Sequence, residues 1–308
     1  MIAEAYGLAG LRIISDFRLR GLQSPPDADA AEGEAVIRHA RIPDELTLAP
    51  AAFQDGLHFH VYNEEEVLLE FQAAGRFLVR SGKEIVVDPA PASDDGEVRA
   101  HLLGTAFGVL CHQRGIIPLH ASAIDTGEGF VAFTGMSGSG KSTLAAALVR
   151  RGYQIVADDV CFLRRYGENQ INAWPGIARI RLWAEAIQAL SCDGSDVERE
   201  LHGYNKYFIP VHQPQNLFRP SRLRRVYDLH VASDDVTIQI TRLQGVTAVE
   251  ALLQNIYRPG LAEQLGYKPQ AFVTCAAAAR NAAVFRLIRP NGFHALDKTI
   301  NFLEAHLA

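Results

Sequence analysis

Apolar and polar positions follow two rhythms along this chain. In the first third the period is two: residues 11–15, 57–62, 67–71, 76–80 and 84–88 alternate as half-buried strands do, with Gly75 and Ser81-Gly82 as turn signals. Polar, proline-bearing runs at 24–33 and 88–96 read as surface loops. The period then lengthens. Val98, Leu102, Leu103, Ala106, Phe107 and Leu110 recur at helical spacing and predict an amphipathic helix over 97–113. Residues 116–125 predict a strand, 126–129 a turn and 130–134 a second strand, which together make a β-hairpin. A helix over 141–151 follows, stopped by Gly152, then a strand over 154–164 that turns at 166–169. Toward the C-terminus the pattern predicts strands over 236–240 and 284–288, and helices over 247–255, 272–283 and 293–307.

These elements predict an α/β chain with a small strand-rich N-terminal part, residues 1–96, and a larger domain, 97–308. The hairpin decides the kind of sheet. A doubly wound sheet reaches its next parallel strand through a crossover, whereas here the strand at 130–134 pairs with its sequence neighbour. A mixed, largely antiparallel sheet is therefore expected.

Composition narrows the partners. The 308 residues are 48% hydrophobic and 21% charged, the profile expected of a soluble globular protein. The net charge of −5 argues against nucleic-acid binding, which needs a surplus of Lys and Arg on one face. The run Arg219-Pro-Ser-Arg222-Leu-Arg224-Arg225 is the local exception. Cys111, Cys161, Cys192 and Cys275 form no CxxC pair and sit among apolar or small neighbours, so buried, reduced thiols and a cytoplasmic location are expected. The start, Met1-Ile-Ala-Glu4, has no basic n-region and no long apolar run, so neither a signal peptide nor a membrane span is expected.

The sharpest signal is Gly135-Met136-Ser137-Gly138-Ser139-Gly140-Lys141-Ser142-Thr143, which fits the Walker A pattern G-x-x-x-x-G-K-[ST] without mismatch. Glycines let the backbone curl so that its amides converge on phosphate oxygens, and the helix N-terminus adds its dipole. Lys141 supplies charge between the β- and γ-phosphates, and Ser142 offers a hydroxyl to Mg²⁺. A short apolar strand before it and an Ala/Leu-rich helix after it supply the right context. The loop predicts a nucleoside triphosphate but names no reaction, since kinases, ATPases and GTPases share it.

Two further signals flank it. Asp158 and Asp159 end a short apolar strand. Successive strand side chains point to opposite faces, so one carboxylate suits a metal or its waters and the other suits the proton of an attacking hydroxyl. His120 lies on the strand before the hairpin turn, a position where a core role is more common than a catalytic one.

Taken together, His120, the loop 135–142 and Val156-Ala157-Asp158-Asp159 resemble the HPr kinase/phosphorylase family of phosphoenolpyruvate carboxykinase-like P-loop proteins. The resemblance covers about residues 116–165, and Arg150-Arg151-Gly152-Tyr153 adds to it. It implies a mixed-sheet P-loop core, ATP and Mg²⁺, and assembly as a homo-oligomer. It implies that His120 contacts the phosphate region, Lys141 holds the β- and γ-phosphates, Ser142 and Asp158 serve the metal, and Asp159 deprotonates a substrate serine. It also implies a magnesium-binding glutamate after the Asp pair, which Trp174–Trp183 lacks, and an active-site arginine, for which Lys206 is the candidate substitute. A short N-terminal part fused to such a core resembles the HPr kinase-like enzymes of ribosomal-peptide biosynthesis, which phosphorylate a serine of a precursor peptide, as in lasso peptides. The expectation is an ATP- and Mg²⁺-dependent serine kinase acting on a peptide or protein; the basic run 219–225 is read as a solvated loop, with lining of the peptide groove as the alternative. A kinase for a small hydroxylated metabolite such as free serine, and a nucleotide-binding regulatory module, are the alternatives.

Overall fold

The computed structural model describes the chain except residues 1–2, 26–30, 49–50, 55–56, 64, 178, 191–197, 200–205, 211–217 and 308. Cys192 and part of the 24–33 segment therefore lie outside the described residues. The chain divides into two compact units: 1–118 with 257–272, and 119–256 with 273–308.

The first unit holds an eight-stranded sheet of β1 (Glu4–Leu8), β2 (Leu11–Ser15), β3 (Glu34–His39), β4 (Ala51–Gln54), β5 (Leu57–Asn63), β6 (Glu66–Phe71), β7 (Gly75–Arg80) and β8 (Glu84–Pro89). Its order is β1-β2-β3-β8-β7-β6-β5-β4. The five alternating segments became strands; β1, β3 and β4 were not anticipated. The helix expected over 97–113 is α1 (Asp95–His101), a π-helical turn at Leu102–Ala106 and α2 (Phe107–Gln113). It belongs to this unit, so the units part at 118/119 rather than 96/97. The physical reason is burial: Leu102, Ala106 and Leu110 lose all exposure, and the helical run packs on β7 and β8.

After β9 (Ile116–Leu119) come β10 (Ser122–Asp125), β11 (Phe130–Gly135), α3 (Lys141–Arg150), β12 (Gln154–Ala157), β13 (Cys161–Tyr166), β14 (Gln170–Trp174), β15 (Arg179–Trp183), α4 (Ala184–Ala189), β16 (Glu198–Arg199) and β17 (Lys206–Pro210). The chain ends with β18 (Ser221–Ala232), β19 (Gln239–Leu243), α5 (Gly245–Gln254), α6 (Pro259–Gln264), α7 (Lys268–Asn281), β20 (Ala283–Pro290) and α8 (Leu296–Leu307). The strand expected at 236–240 starts later. Val236 still belongs to the turn, where its amide donates to Ser233 O at 3.1 Å, and pairing with β20 begins at Gln239.

The second unit's main sheet is mixed. Strand β11 pairs antiparallel with β10, as the hairpin predicted, and parallel with β18, which in turn runs parallel to β20. Strands β12, β14 and β19 add antiparallel flanks. Helix α3 packs over this sheet through Leu144, Ala145 and Leu148, against Phe133, Tyr227, Leu287 and Leu303. Gly135 pairs with Leu229, so the glycine-rich loop leaves the sheet at the carboxyl end of its parallel strands. That end of an open sheet is where crevices form. No helix among the described residues is long and apolar enough to cross a membrane.

One buried residue of the first unit makes stability depend on pH. His112 is 3% exposed, stacks on Tyr267 with ring centroids 5.6 Å apart, and neither ring nitrogen has a hydrogen-bond partner among the described residues. Burial pushes its pKa down from 6.5 to about 4. Between those values the unfolded chain takes up a proton that the folded one refuses. Stability is therefore fully present above pH 6.5 and falls as pH drops toward 4, by about 1.4 kcal/mol per unit. His112→Phe keeps the stacked ring and removes the proton. Urea unfolding at pH 6.5 and pH 5 should show a smaller acid loss in the variant by about 2 kcal/mol; equal losses would contradict this assignment.

Candidate nucleotide and phosphoryl-transfer site

The site forms where two expected strands stop. The strand expected over 116–125 breaks between β9 and β10, and the strand expected over 154–164 breaks between β12 and β13. The two breaks bond to each other: the Ala121 amide donates to Asp159 O at 3.2 Å. The His120 amide donates to Asn255 O at 2.7 Å. Freed from ladder pairing, His120 and Asp159 line a cavity of about 300 Å³.

The loop supplies the floor. Gly135, Gly138 and Gly140 have φ of 131°, 84° and 91°, values that side chains with a Cβ rarely adopt. Lys141 is 7% exposed, and its Nζ donates to Gly135 O at 2.7 Å and Met136 O at 3.1 Å, folding the loop around its own ammonium. Ser137, Gly138, Gly140, Lys141, Ser142 and Thr143 line the cavity. Gly135, Met136 and Ser139 do not. Gly135 is the last residue of β11, Met136 is 85% exposed, and Ser139 turns its carbonyl to Arg289 at 2.8 Å.

The two aspartates face different surroundings, but through a turn rather than strand alternation, since β12 stops at Ala157 and both lie beyond it. Asp158 is buried. It accepts from the Ser122 hydroxyl and from the Arg181 amide at 2.7 Å. Burial raises its pKa, and these hydrogen bonds oppose the rise. Asp158 does not line the cavity. Asp159 faces the cavity with φ of 79°, left-handed for a residue with a side chain. Such a conformation costs about 1–2 kcal/mol and persists where the surroundings enforce it. Here they do: Arg181 Nη1 lies 2.6 Å from Oδ2, and His120 Nδ1 lies 3.4 Å from Oδ1. Burial lowers the His120 pKa, with Asp159 opposing and Lys141 reinforcing the shift.

Three residues escaped the sequence reasoning. Arg181 braces both aspartates, and a signal for it existed: Ile180 and Leu182 are buried, so the strand's period of two puts Arg179, Arg181 and Trp183 on the other face. Glu185, at the start of α4, lines the cavity two residues beyond the stretch that lacked a glutamate. Asn255 accepts from the Gly135 amide at 2.7 Å while its backbone holds His120, a link that no local pattern announces.

Two expectations fail or fall outside. The basic run does not line the cavity. Leu223 pairs with Phe130 and Leu229 with Gly135, so the run sits roughly 20 Å along β18 from the loop, at about 3.3 Å per residue. Its charges are engaged there, Arg224 with Glu128 at 2.9 Å and Arg225 with the carbonyls of His306 and Leu307 at 2.8 Å. Lys206 opens β17 opposite Trp183, and its side chain lies outside the described residues.

The donors fit magnesium in part. Ser142, Asp159 and Glu185 bring hard oxygens to the cavity, while no cluster of three metal-ligating side chains exists among the described residues. That is the donor set for an ion completed by water and substrate phosphates rather than by a protein cage.

Comparison with known proteins agrees with this location. The AAA domain family matches residues 130–191. HPr kinase/phosphorylase of Chlorobium limicola is 46% identical over 52 residues, 17% of this chain and 16% of the relative. That of Chlorobium luteolum is 51% identical over 49 residues, 16% and 15%. The chain thus spans about one-sixth of the length of these curated relatives. The structure of the Hpr(Ser) kinase/phosphatase from Coxiella burnetii aligns over 62% of this chain and 96% of its own, at 15% identity and a TM-score of 0.29, too weak a likeness to carry weight. A P-loop segment similar to that of HPr kinase/phosphorylase, inside a mixed α/β unit, is what these findings establish.

Gly140→Ala tests the loop geometry. An added Cβ would lie 2.3 Å from Arg289 Nη2, on a backbone with φ of 91°. Calorimetric titration should show ATP affinity reduced by roughly tenfold or more, from about 1–2 kcal/mol of strain plus the displaced guanidinium. Affinity equal to the unmodified chain's would mean that this loop conformation is not what binds phosphate.

Proposed function

We propose that this chain is an ATP- and magnesium-dependent kinase that transfers the γ-phosphoryl group to a serine hydroxyl of a peptide or protein. The observation that carries the reading is Asp159, held in a left-handed conformation by Arg181 and His120, in the same cavity as Lys141 and Ser142. A carboxylate fixed beside a phosphate loop suits a proton acceptor better than a structural anchor, which would be buried as Asp158 is.

In this reading the loop amides and Lys141 bind the phosphate chain. Magnesium, when bound, offsets charge on the β- and γ-phosphates. Ser142, Asp159 and Glu185 would hold it. Asp159 takes the proton of the serine hydroxyl as the oxygen forms its bond to γ-phosphorus and the bond to the bridging oxygen breaks, leaving ADP. Little covalent work falls to the protein; positioning and electrostatics carry the catalysis.

The names of the partial relatives, HPr kinase/phosphorylase, support a protein or peptide acceptor; assembly as a homo-oligomer belongs to the same proposal. A precursor peptide of the lasso type is the acceptor we place first. The buried cysteines Cys111, Cys161 and Cys275 suit a reducing, cytoplasmic setting.

The test is a panel of serine peptides, proteins and free serine incubated with γ-labelled ATP and magnesium. Label should enter a peptide or protein. Asp159→Asn should cut the rate by about 10²–10⁴ while ATP still binds, and Lys141→Ala should abolish binding. Label passing only to free serine would favour the small-metabolite kinase. Unchanged slow hydrolysis in Asp159→Asn, with binding lost in Lys141→Ala, would favour a regulatory nucleotide-binding module.

A further inference from the structure

Arg289, near the end of β20, is a buried cation without a counter-charge. It is 8% exposed. Its bonds go to two carbonyls, Nη2 to Ser139 O at 2.8 Å and Nη1 to Pro290 O at 3.0 Å, and it meets no carboxylate among the described residues. Buried arginines are ordinarily paired, because desolvating a guanidinium costs several kcal/mol. The other arginine of the cavity follows that rule, with Asp159 at 2.6 Å. Burial is the only influence on the Arg289 pKa, and it lowers it. A guanidinium carries five N–H donors and the two carbonyls use two, so donors remain for the cavity that Arg289 lines.

Its position says which anion it awaits. Arg289 meets the loop at Ser139 and at the bare face of Gly140, where a Cβ would lie 2.3 Å from Nη2. These are the two residues before Lys141. The carboxylates are engaged elsewhere: Asp158 bonds Ser122 and the Arg181 amide, and Asp159 is turned toward Arg181 and His120. The phosphate that reacts must lie near Asp159, so a cation at Ser139 and Gly140 faces the phosphates that do not.

We propose that Arg289 is a second cationic ligand of the phosphate chain, binding the phosphates that remain on the leaving nucleoside diphosphate. This rests on the reading of the cavity as a nucleotide site. A planar fork suits a pair of phosphate oxygens, whereas Lys141 supplies a point charge. Arg289 thereby completes a grip of which the Walker motif contains only half, and it lies 148 residues beyond Lys141 in sequence.

The experiment measures magnesium-dependent binding of ATP and ADP by calorimetry, with thermal unfolding, for the unmodified chain, Arg289→Met and Arg289→Lys. Arg289→Met should weaken ADP and ATP alike, by roughly tenfold to a hundredfold, the range for charge-assisted hydrogen bonds. Arg289→Lys should recover part of both affinities. Unchanged ADP affinity in Arg289→Met overturns the proposal, as does a loss confined to ATP. If Arg289→Met fails to fold, Arg289→Lys decides. A folded Lys variant with full ADP affinity overturns the bidentate role, and one weakened equally for both nucleotides supports it. Failure of the unmodified chain to bind either nucleotide would instead sink the kinase reading itself.

Discussion

The second unit is organised around one buried carboxylate. Asp158 accepts hydrogen bonds from Ser122 on β10 and from the Arg181 amide on β15, two elements separated widely in sequence. Removing a carboxylate from water costs several kcal/mol, and charge-assisted hydrogen bonds return about 1.5–3 kcal/mol each. The residue is tolerable inside only because both partners are in place. That requirement fixes where β12 ends and how β15 approaches it.

The consequence passes to the next residue. With Asp158 committed inward, the chain turns through a left-handed Asp159 and points a second carboxylate into the cavity, where Arg181 holds it. Asn255 provides a parallel tie. Its side chain accepts from the Gly135 amide at the head of the loop and donates to Asp228 at 3.2 Å, while its backbone carbonyl holds His120. Loop, histidine and carboxylate thus have fixed mutual positions before any ligand arrives, the preorganisation that phosphoryl transfer demands.

How much of this was legible depended on how local each determinant is. The loop was fully so, because its chemistry is contiguous and glycine-specific, and the hairpin pairing of β10 with β11 followed from short-range pattern. Strand alternation predicted opposite directions for Asp158 and Asp159, but the left-handed turn beyond the end of β12 is what separates them. Strand β18, central to the sheet, was not read as a strand at all: its first half, Ser-Arg-Leu-Arg-Arg, looks like a solvated basic loop, and only the pairing with β11, β14 and β20 makes it a strand. The breaks at His120 and Asp159 were hidden too, since the apolar runs read through them, and what stops the ladders is bonding between distant segments. Arg181, Asn255 and Arg289 enter the site by tertiary approach. Alternation hinted at the first, and nothing local marks the other two.

Everything turns on a triphosphate lying along the loop with its last phosphate before Asp159. A crystal structure with magnesium and a non-hydrolysable ATP analogue tests this most directly. The account predicts phosphates ringed by the amides of residues 138–143, with an Asp159 oxygen within about 2.6–3.2 Å of the place an in-line hydroxyl would occupy. Nucleotide bound with Asp159 still turned away from the γ-phosphate, or bound outside the loop, would contradict it.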